Sequence, residues 1–252
     1  MSMKKLGLLG KHISYSFSRS YFKAKFEKEN IKDFTYQNFD IDTINAFPEV
    51  LKTNPELIGL NVTIPYKEEV IPYLDKLDKT AAAIGAVNTI KISKDKLLTG
   101  YNTDYYGFKN ALQPALKPHH QKAIILGTGG ASKAIAYSLE ELGISFNYVS
   151  RRLKKGVKFT YNMLNESIIQ DHQLIVNCTP LGTFPKVDEC PEIPYEALTE
   201  DHILYDLIYN PEETKFLKFG KQQGATVING LNMLKLQAEK AWEIWNDQLK
   251  NS

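Results

Sequence analysis

The hydrophobic pattern of the chain alternates between short apolar runs and longer segments in which apolar residues recur every three or four positions. Residues 123–126 are an unbroken apolar run, as expected for a strand that is buried on both faces of a sheet. Residues 131–142 follow with Ile135 and Leu139 on one helical face, and Gly143 ends the pattern. This order of strand, turn and helix predicts the first unit of a parallel α/β sheet.

Further elements of both kinds flank this unit. The strands predicted after it are residues 146–150, 158–161, 174–178, 203–211 with its loop, and 225–228, and the helices are 162–170 and 214–222. The strands predicted before it are residues 6–10, 34–39, 57–65 and the hairpin strands around 90 and 97–101, and the helices are 21–30, 43–52 and 105–112. A short helix is expected to begin at Tyr66. Residues 113–121 are the best linker candidate because they hold two prolines and two histidines.

The last predicted helix begins after Gly230 and carries one apolar stripe. The stripe consists of Leu231, Leu234, Ala238, Ala241, Trp242 and Trp245. We expect it to pack in the core. Gln237 lies within it, and a polar side chain there needs a hydrogen-bonding partner.

Glycines at the turn before residue 131 indicate a dinucleotide site. Gly127, Gly129 and Gly130 leave the backbone bare where a helix offers free N–H groups and a positive dipole end to a pyrophosphate. Ser132 stands where the third glycine of the G-x-G-x-x-G pattern would fall, and glycine turns also occur for structural reasons alone.

The end of the next strand favours NADP over NAD. NAD sites usually have an acidic residue there to bond the ribose hydroxyls. This chain has Ser150, Arg151 and Arg152, with Lys154 and Lys155 close behind. A guanidinium binds a 2′-phosphate through two hydrogen bonds. The alternative interpretation is a basic surface turn.

Two polar segments in the first part of the chain are candidate ligand sites. Residues 10–20 hold four serines before a predicted helix, which is more than one helix cap requires, so an anion or polyol site is the alternative to capping. Asn61 and Thr63 share one side of a strand end, and Lys67 follows them. Ligands bind at such strand ends in open α/β sheets, so these residues are candidates for a ligand site. The alternative for Lys67 is an ordinary solvated surface lysine.

Composition narrows the class of protein. The 252 residues suffice for two modest domains, and 43% hydrophobic with 24% charged residues is ordinary for a globular enzyme. The net charge of +2 gives no electrostatic case for a nucleic-acid or membrane partner. No apolar run has the ~20 residues of a membrane span, and the first run is too short for a signal peptide. Two cysteines make no disulfide framework, so we expect a cytoplasmic protein. The spacing of histidine, cysteine and carboxylate residues suits no metal ion, so we expect no metal site.

Eight segments, in their order and spacing, resemble shikimate dehydrogenases over nearly the whole chain. They are Ser16-Phe-Ser18, Asn61-Val-Thr-Ile-Pro-Tyr-Lys67, Gly85-Ala-Val-Asn-Thr89, Asn102-Thr-Asp104, Gly127-Thr-Gly-Gly-Ala131, Ser150-Arg151, Tyr205-Asp206 with Tyr209, and residues 229–237. Because of this resemblance, Lys67 becomes a strong candidate for a functional residue.

The resemblance implies an α/β fold of two domains. Residues 1–101 and 231–252 would form the substrate-binding domain, to which the C-terminal helix returns, and residues 102–230 a Rossmann-type NADP domain. The implied reaction is the reversible reduction of 3-dehydroshikimate to shikimate with NADPH, in aromatic amino-acid biosynthesis. The implied partner is this small molecule alone, and the protein would be a monomer or homodimer.

The resemblance also implies a role for individual residues. Lys67 and Asp104 would be catalytic. The residues implied to bind substrate are Ser16, Ser18, Asn61, Thr63, Lys67, Asn88, Asp104, Tyr209 and Gln237. Those implied to bind the cofactor are Gly127, Gly129, Gly130 and Ala131 at the pyrophosphate, Ser150, Arg151 and Arg152 at the 2′-phosphate, and Gly230 near the nicotinamide.

One departure from the family and two alternatives stay open. The stretch between Arg151 and Leu174 looks short by about one helix, so the adenosine side would be more open and cofactor affinity weaker. The first alternative is a quinate/shikimate dehydrogenase that also uses NAD, against which Arg151 and Arg152 argue. The second is a non-catalytic NADP or metabolite sensor, which has no need of Lys67 with Asp104.

Overall fold

A computed structural model of the chain describes residues 3–14 and 16–250, with side chains as far as residue 247. The chain divides into two compact units. The first ends at Thr103 and takes up the chain again from Gln237, and the second is residues 104–236. Within the described residues, the helices are too short or too polar to span a lipid bilayer.

The described part of the first unit contains a mixed six-stranded sheet. Its strands are β1 (Lys4–Gly10), β2 (Phe34–Asp40), β3 (Leu57–Val62), β4 (Lys76–Leu77), β5 (Thr89–Ile92) and β6 (Leu98–Tyr101), in the spatial order β2-β1-β3-β5-β6-β4. Strand β1 pairs in parallel with β2 and β3, while β3, β5 and β6 pair antiparallel, so the predicted hairpin is confirmed. The helices before the second unit are α1 (Phe17–Lys28), α2 (Phe47–Thr53) and α3 (Lys79–Ile84).

The second unit contains a six-stranded sheet whose pairs are all parallel. Its strands are β7 (Lys122–Leu126), β8 (Ser145–Ser150), β9 (Val157–Thr160), β10 (Leu174–Asn177), β11 (Ile203–Asp206) and β12 (Thr226–Ile228), in the order β12-β11-β10-β7-β8-β9. Its helices are α4 (Asp104–Leu112), α5 (Gly130–Glu141), α6 (Glu166–Gln170) and α7 (Lys215–Gln222), and α8 (Leu231–Lys250) begins in this unit and continues into the first. The predicted two-domain α/β fold class is confirmed.

Strand β7 is buried on both faces, as its apolar run predicts. Ala123 and Ile125 pack into one hydrophobic cluster, whereas Ile124 and Leu126 pack into another. All four side chains are fully buried. Successive side chains of a strand point to opposite faces, so a strand covered on both sides must be apolar at every position.

Helix α8 returns to the first unit from Gln237 onward, as expected. The later part of its apolar stripe packs there, with Ala238, Ala241 and Trp245 in one core cluster with Phe22, whereas Leu231 and Leu234 lie in the second unit and are half-buried. Trp245 Nε1 also donates a hydrogen bond to the carbonyl of Ile90 at 2.9 Å. That bond ties the end of the chain to the middle of the sheet.

Two helix predictions are wrong in their local detail. Residues 66–69 form turns, because the carbonyl of Lys67 accepts the N–H of Val87 at 2.7 Å and cannot continue a helix. The predicted helix 162–170 is limited to α6, which begins only after Asn165, whose Oδ1 caps it by accepting the N–H of Ile168 at 3.0 Å.

Candidate active site

Four amide and hydroxyl side chains form a buried polar cluster in the first unit: Asn61, Asn88, Thr103 and Gln237, each at most 5% exposed. Asn88 Nδ2 donates to Thr103 Oγ1 at 3.0 Å and to Gln237 Oε1 at 3.4 Å. Asn88 Oδ1 accepts the backbone N–H of Thr103 at 2.6 Å. Asn61 Nδ2 lies 3.4 Å from the carbonyl of Asn88. Gln237 therefore has the partner that its place in the apolar stripe requires.

Tyr36 extends the buried polar cluster and was missed from the sequence. Its hydroxyl donates to Asn61 Oδ1 at 2.8 Å and is also hydrogen-bonded to Ser18. Burial raises the pKa of Tyr36 well above its ordinary value, so it remains a neutral donor. The alternating pattern of β2 shows which side a residue faces, but it does not show where a hydroxyl finds its partner.

Ser16 caps helix α1, which confirms one of the two interpretations of the serine-rich loop. Its Oγ accepts the N–H of Arg19 at 3.3 Å. The helix consequently begins at Phe17, earlier than predicted. Binding of an anion by Ser16 and Ser18 stays a prediction.

Lys67 and Thr63 follow the end of β3 in a segment fixed by backbone hydrogen bonds. The N–H of Thr63 donates to Leu9 at 2.9 Å, and the carbonyl of Lys67 holds the N–H of Val87 at 2.7 Å. Both side chains are half-buried. The second bond places the backbone of Lys67 beside the residue that precedes Asn88, at the edge of the buried polar cluster.

Asp104 is the first residue of helix α4, at the start of the second unit, and is 6% exposed. A carboxylate at a helix N-terminus is stabilised by the helix dipole. The preceding segment is held by Asn102, whose Nδ2 donates to the carbonyl of Ala86 at 3.0 Å. A pairing of Asp104 with Lys67 in catalysis stays a prediction.

The glycine turn after β7 has two kinds of glycine. Gly127 has a φ of 96°, and a Cβ there would lie 3.0 Å from Thr179 Cγ2, so the fold itself requires glycine. Gly129 has an ordinary φ of −82°, and a Cβ there would meet nothing within 4 Å. The bare backbone at Gly129, directly before Gly130 and Ala131 at the start of α5, fits a cofactor pyrophosphate.

Ser132 closes this turn in place of the third glycine. Its Oγ donates to the carbonyl of Gly129 at 2.7 Å, and its N–H donates to the same oxygen at 3.0 Å. The side chain is 2% exposed. Serine therefore stabilises the turn without blocking the exposed face of Gly129.

The basic turn of residues 150–155 begins where β8 ends. The N–H of Gly127 donates to the carbonyl of Val149 at 2.9 Å, so the glycine turn and the end of β8 are adjacent. Ser150 is half-buried, whereas Arg151 and Arg152 are exposed. Only residues 151–156 connect β8 to the parallel strand β9. The two exposed guanidiniums thus follow a strand end that adjoins the glycine turn, and their binding of a 2′-phosphate stays a prediction.

Two further predicted residues lie in the second unit beyond β11. Tyr209 is half-buried, and burial raises its pKa. The N–H of Gly230 donates to the carbonyl of Ile208 at 3.0 Å, and a Cβ at Gly230 would collide with the backbone of Leu207. Packing alone therefore requires glycine at residue 230, and its proximity to a nicotinamide stays a prediction.

Comparison with known proteins gives the family. Residues 8–90 match the family model described as the shikimate dehydrogenase substrate binding domain. Over 250 residues the chain is 41% identical to a Clostridium botulinum protein named shikimate dehydrogenase (NADP(+)), and the match covers 95% of each chain. The chain belongs to the shikimate dehydrogenase family. The resemblance stated from eight short segments is thus confirmed.

Solved structures of shikimate dehydrogenases have the same fold along almost the whole chain. One, in complex with NADP⁺, matches with a TM-score of 0.86 at 34% identity, over 97% of this chain and 90% of the other. Another, from Thermus thermophilus in complex with NADP(H) and shikimate, matches with a TM-score of 0.85 at 30% identity, over 97% and 94%.

Proposed function

We propose that this shikimate dehydrogenase family member is an NADP-dependent oxidoreductase that reversibly reduces 3-dehydroshikimate to shikimate, in the biosynthesis of aromatic amino acids. The observation that carries the proposal is the 41% identity to a named NADP(+)-dependent shikimate dehydrogenase over 95% of both chains. The buried polar cluster in one unit and the glycine turn in the other support it.

The first unit, with the end of α8, is proposed to bind the substrate. Shikimate is a carboxylated ring with several hydroxyl groups, so its site needs side chains that both donate and accept hydrogen bonds. The residues proposed for the ring hydroxyls are Asn61, Thr63, Asn88, Asp104 and Gln237. Ser16, Ser18 and Tyr209 are proposed for the carboxylate, for which hydroxyl groups are suitable neutral donors.

Lys67 and Asp104 are the proposed catalytic residues. NADPH, when bound, supplies the hydride that adds to the carbonyl carbon of the substrate. As negative charge develops on the ketone oxygen, the ammonium of Lys67 stabilises that charge and donates a proton to it. The carboxylate of Asp104 accepts a hydrogen bond from a neighbouring substrate hydroxyl and orients Lys67. In the reverse direction Lys67 takes the proton from the substrate hydroxyl.

The second unit is proposed to bind NADP. Gly127, Gly129, Gly130 and Ala131 would hold the pyrophosphate, and Gly230 would lie near the nicotinamide. Ser150, Arg151 and Arg152 would bind the 2′-phosphate, because guanidinium groups match phosphate oxygens in geometry and charge. The protein is further proposed to act in the cytoplasm as a monomer or homodimer, with no nucleic-acid partner.

A four-way kinetic assay tests the proposal and both alternatives. Purified protein is given shikimate or quinate with NADP⁺ or NAD⁺, and formation of reduced cofactor is followed by absorbance. We expect the pair of shikimate with NADP⁺ to have the highest kcat/KM. Comparable values with quinate and NAD⁺ would favour the broader dehydrogenase. Binding of NADP⁺ in calorimetry without turnover of either substrate would favour a sensor and contradict the proposal.

A further inference from the structure

Asp206 is a fully buried carboxylate at the end of β11 that accepts three hydrogen bonds. The donors are Asn177 Nδ2 at 3.0 Å, the N–H of Ile208 at 3.1 Å and Thr214 Oγ1 at 2.6 Å. A buried charged or polar group without hydrogen-bonding partners is costly. Because the loss of any of these bonds would leave Asp206 partly unsatisfied, the network holds the three donors in place. The end of β10 and both ends of the loop after β11 therefore meet at one side chain.

The first arm of this network leads to the glycine turn. Asn177, held by Asp206, accepts the N–H of Thr179 at 3.0 Å and Thr179 Oγ1 at 2.7 Å through its Oδ1. Thr179 Oγ1 in turn accepts the N–H of Leu181 at 3.3 Å. The methyl group of Thr179 faces Gly127, where an added Cβ would be 3.0 Å away. The loop after β10 thus takes its shape from Asp206 and meets the glycine turn.

The second arm leads to the segment that carries Tyr209. Asp206 holds the N–H of Ile208, and the carbonyl of Ile208 accepts the N–H of Gly230 at 3.0 Å. The N–H of Leu207 donates to the carbonyl of Asn177 at 3.1 Å. The loops after β10 and β11 are therefore bound to each other as well as to Asp206.

The topology assigns these two loops to one half of the cofactor. Strand order reverses at β7, with β8 and β9 on one side and β10, β11 and β12 on the other. A dinucleotide lies across the carboxyl ends of the strands at such a reversal. Arg151 and Arg152 follow β8, so the adenosine half belongs on that side. The nicotinamide half then belongs over β10 and β11.

We infer that Asp206 is a positioning residue for the redox reaction: through Asn177 and Ile208 it holds the loops after β10 and β11 in the shape that receives the nicotinamide half of NADP. This inference rests on the proposed function. The third arm, to Thr214, has a different effect, because Thr214 lies at the far end of the loop after β11 and caps helix α7 there by accepting the N–H of Leu217 at 3.4 Å.

Four variants separate positioning from general stability. Asp206→Ala removes all three bonds, and Asn177→Ala removes only the first arm. Asp206→Asn keeps the shape and an oxygen that accepts from Asn177 and Ile208, while Thr214 Oγ1 can accept from the new amide. Thr214→Val removes the third arm and the helix cap, and serves as the control for stability. Each variant is assayed with shikimate and NADP⁺, and its thermal unfolding is measured.

We expect kcat/KM for NADP⁺ to fall at least ~10-fold in Asp206→Ala and Asn177→Ala, because small misplacements of a bound reactant slow its reaction strongly. Asp206→Asn and Thr214→Val should stay within about threefold of wild type, although Thr214→Val unfolds at lower temperature. If Asp206→Ala fails to fold, the inference is decided by comparing the kcat/KM of Asn177→Ala with that of Thr214→Val.

Two other results would overturn the inference. In the first, the wild type is active but Asn177→Ala keeps its kcat/KM. In the second, Thr214→Val loses as much activity as Asn177→Ala, so that activity follows stability alone. A folded wild type without turnover is a distinct result, because it would remove the proposed function and the role of Asp206 together.

Discussion

At the scale of single residues, the glycines of the glycine turn are needed for different reasons. Gly127 is needed by the fold because its φ is positive and Thr179 lies against it. Gly129 is needed by neither conformation nor packing, since its φ is ordinary and its missing side chain faces open space. A glycine that the protein itself does not need is explained by a ligand that approaches its backbone.

Gly129→Ala is therefore expected to weaken NADP⁺ binding without destabilising the protein. The added methyl group meets no protein atom, but it occupies the space proposed for the pyrophosphate. We expect the Kd for NADP⁺, measured by calorimetry, to rise at least ~10-fold, which corresponds to about 1.4 kcal/mol. Gly127→Ala is the comparison, and it should unfold at lower temperature. An unchanged Kd in Gly129→Ala would place the pyrophosphate elsewhere.

Lys67→Ala is expected to lower kcat at least ~100-fold with little change in the KM for shikimate, because it removes the group proposed to transfer the proton in the transition state. Steady-state kinetics with NADP⁺ measures both constants. Lys52→Ala on α2 is the control, since that lysine side chain is 78% exposed. A near-normal kcat in Lys67→Ala would remove this lysine from the mechanism.

Asp206 should also make the stability depend on pH. Burial raises its pKa to about 6, against the lowering effect of the bonds from Thr214, Ile208 and Asn177. The folded protein then holds this proton more tightly than the unfolded chain does. The contribution of the protonated Asp206 to the free energy of unfolding is complete below pH ~4. This contribution, of up to ~3 kcal/mol, is lost as the pH rises through about 6. The neighbouring Cys178 and Tyr195 stay neutral there because burial raises their pKa values.

The test compares Asp206→Asn with wild type in urea unfolding at several pH values. Asparagine does not titrate, so the variant should gain stability relative to wild type as the pH rises from about 4 to 7. The comparison with wild type is needed because two histidines have the opposite effect on the pH dependence. Burial lowers the pKa of His120 and His172, so the stability that these residues contribute is lost as the pH falls. A constant difference between the two proteins would show that Asp206 keeps an ordinary pKa.

At the scale of elements, the connection between the parallel strands β8 and β9 is unusually short. A parallel connection usually needs a dozen or more residues and contains a helix. Here residues 151–156 suffice, and they hold Arg151, Arg152, Lys154 and Lys155. The cationic side chains are therefore concentrated in one short turn that adjoins the glycine turn.

Arg151→Asp should shift cofactor preference toward NAD. The carboxylate repels a 2′-phosphate but can accept hydrogen bonds from ribose hydroxyls. We expect the ratio of kcat/KM for NADP⁺ to that for NAD⁺ to fall at least ~100-fold. Lys52→Asp changes the net charge equally and controls for long-range electrostatics. An unchanged ratio in Arg151→Asp would mean that this turn does not bind the 2′-phosphate.

Elements with a strong apolar pattern were predictable, and those decided by tertiary hydrogen bonds were not. The buried strand β7 and the stripe of α8 follow from sequence because burial demands apolar residues at fixed spacing. The turns at residues 66–69 depend on a bond between Lys67 and Val87, which lie far apart in sequence. Tyr36 and Thr103 joined the candidate site unpredicted for the same reason, because their partners Asn61, Asn88 and Gln237 lie far from them in sequence.

At the scale of the whole molecule, the two units contain different chemistry. The first has a buried polar cluster with Lys67 at its edge, suited to a hydroxylated ring. The second has the glycine turn, the basic turn and the network of Asp206, suited to a phosphorylated dinucleotide. The proposed reaction needs both, because its proton is proposed to come from Lys67 and its hydride from the cofactor.

Reduction of 3-dehydroshikimate by NADPH tests this account most directly. Purified protein is mixed with both compounds, loss of NADPH is followed by absorbance, and the product is identified by chromatography against authentic shikimate. We predict that NADPH is consumed in a one-to-one ratio with the shikimate formed. NADPH that stays unoxidised in the presence of folded protein, or a product other than shikimate, would contradict the account.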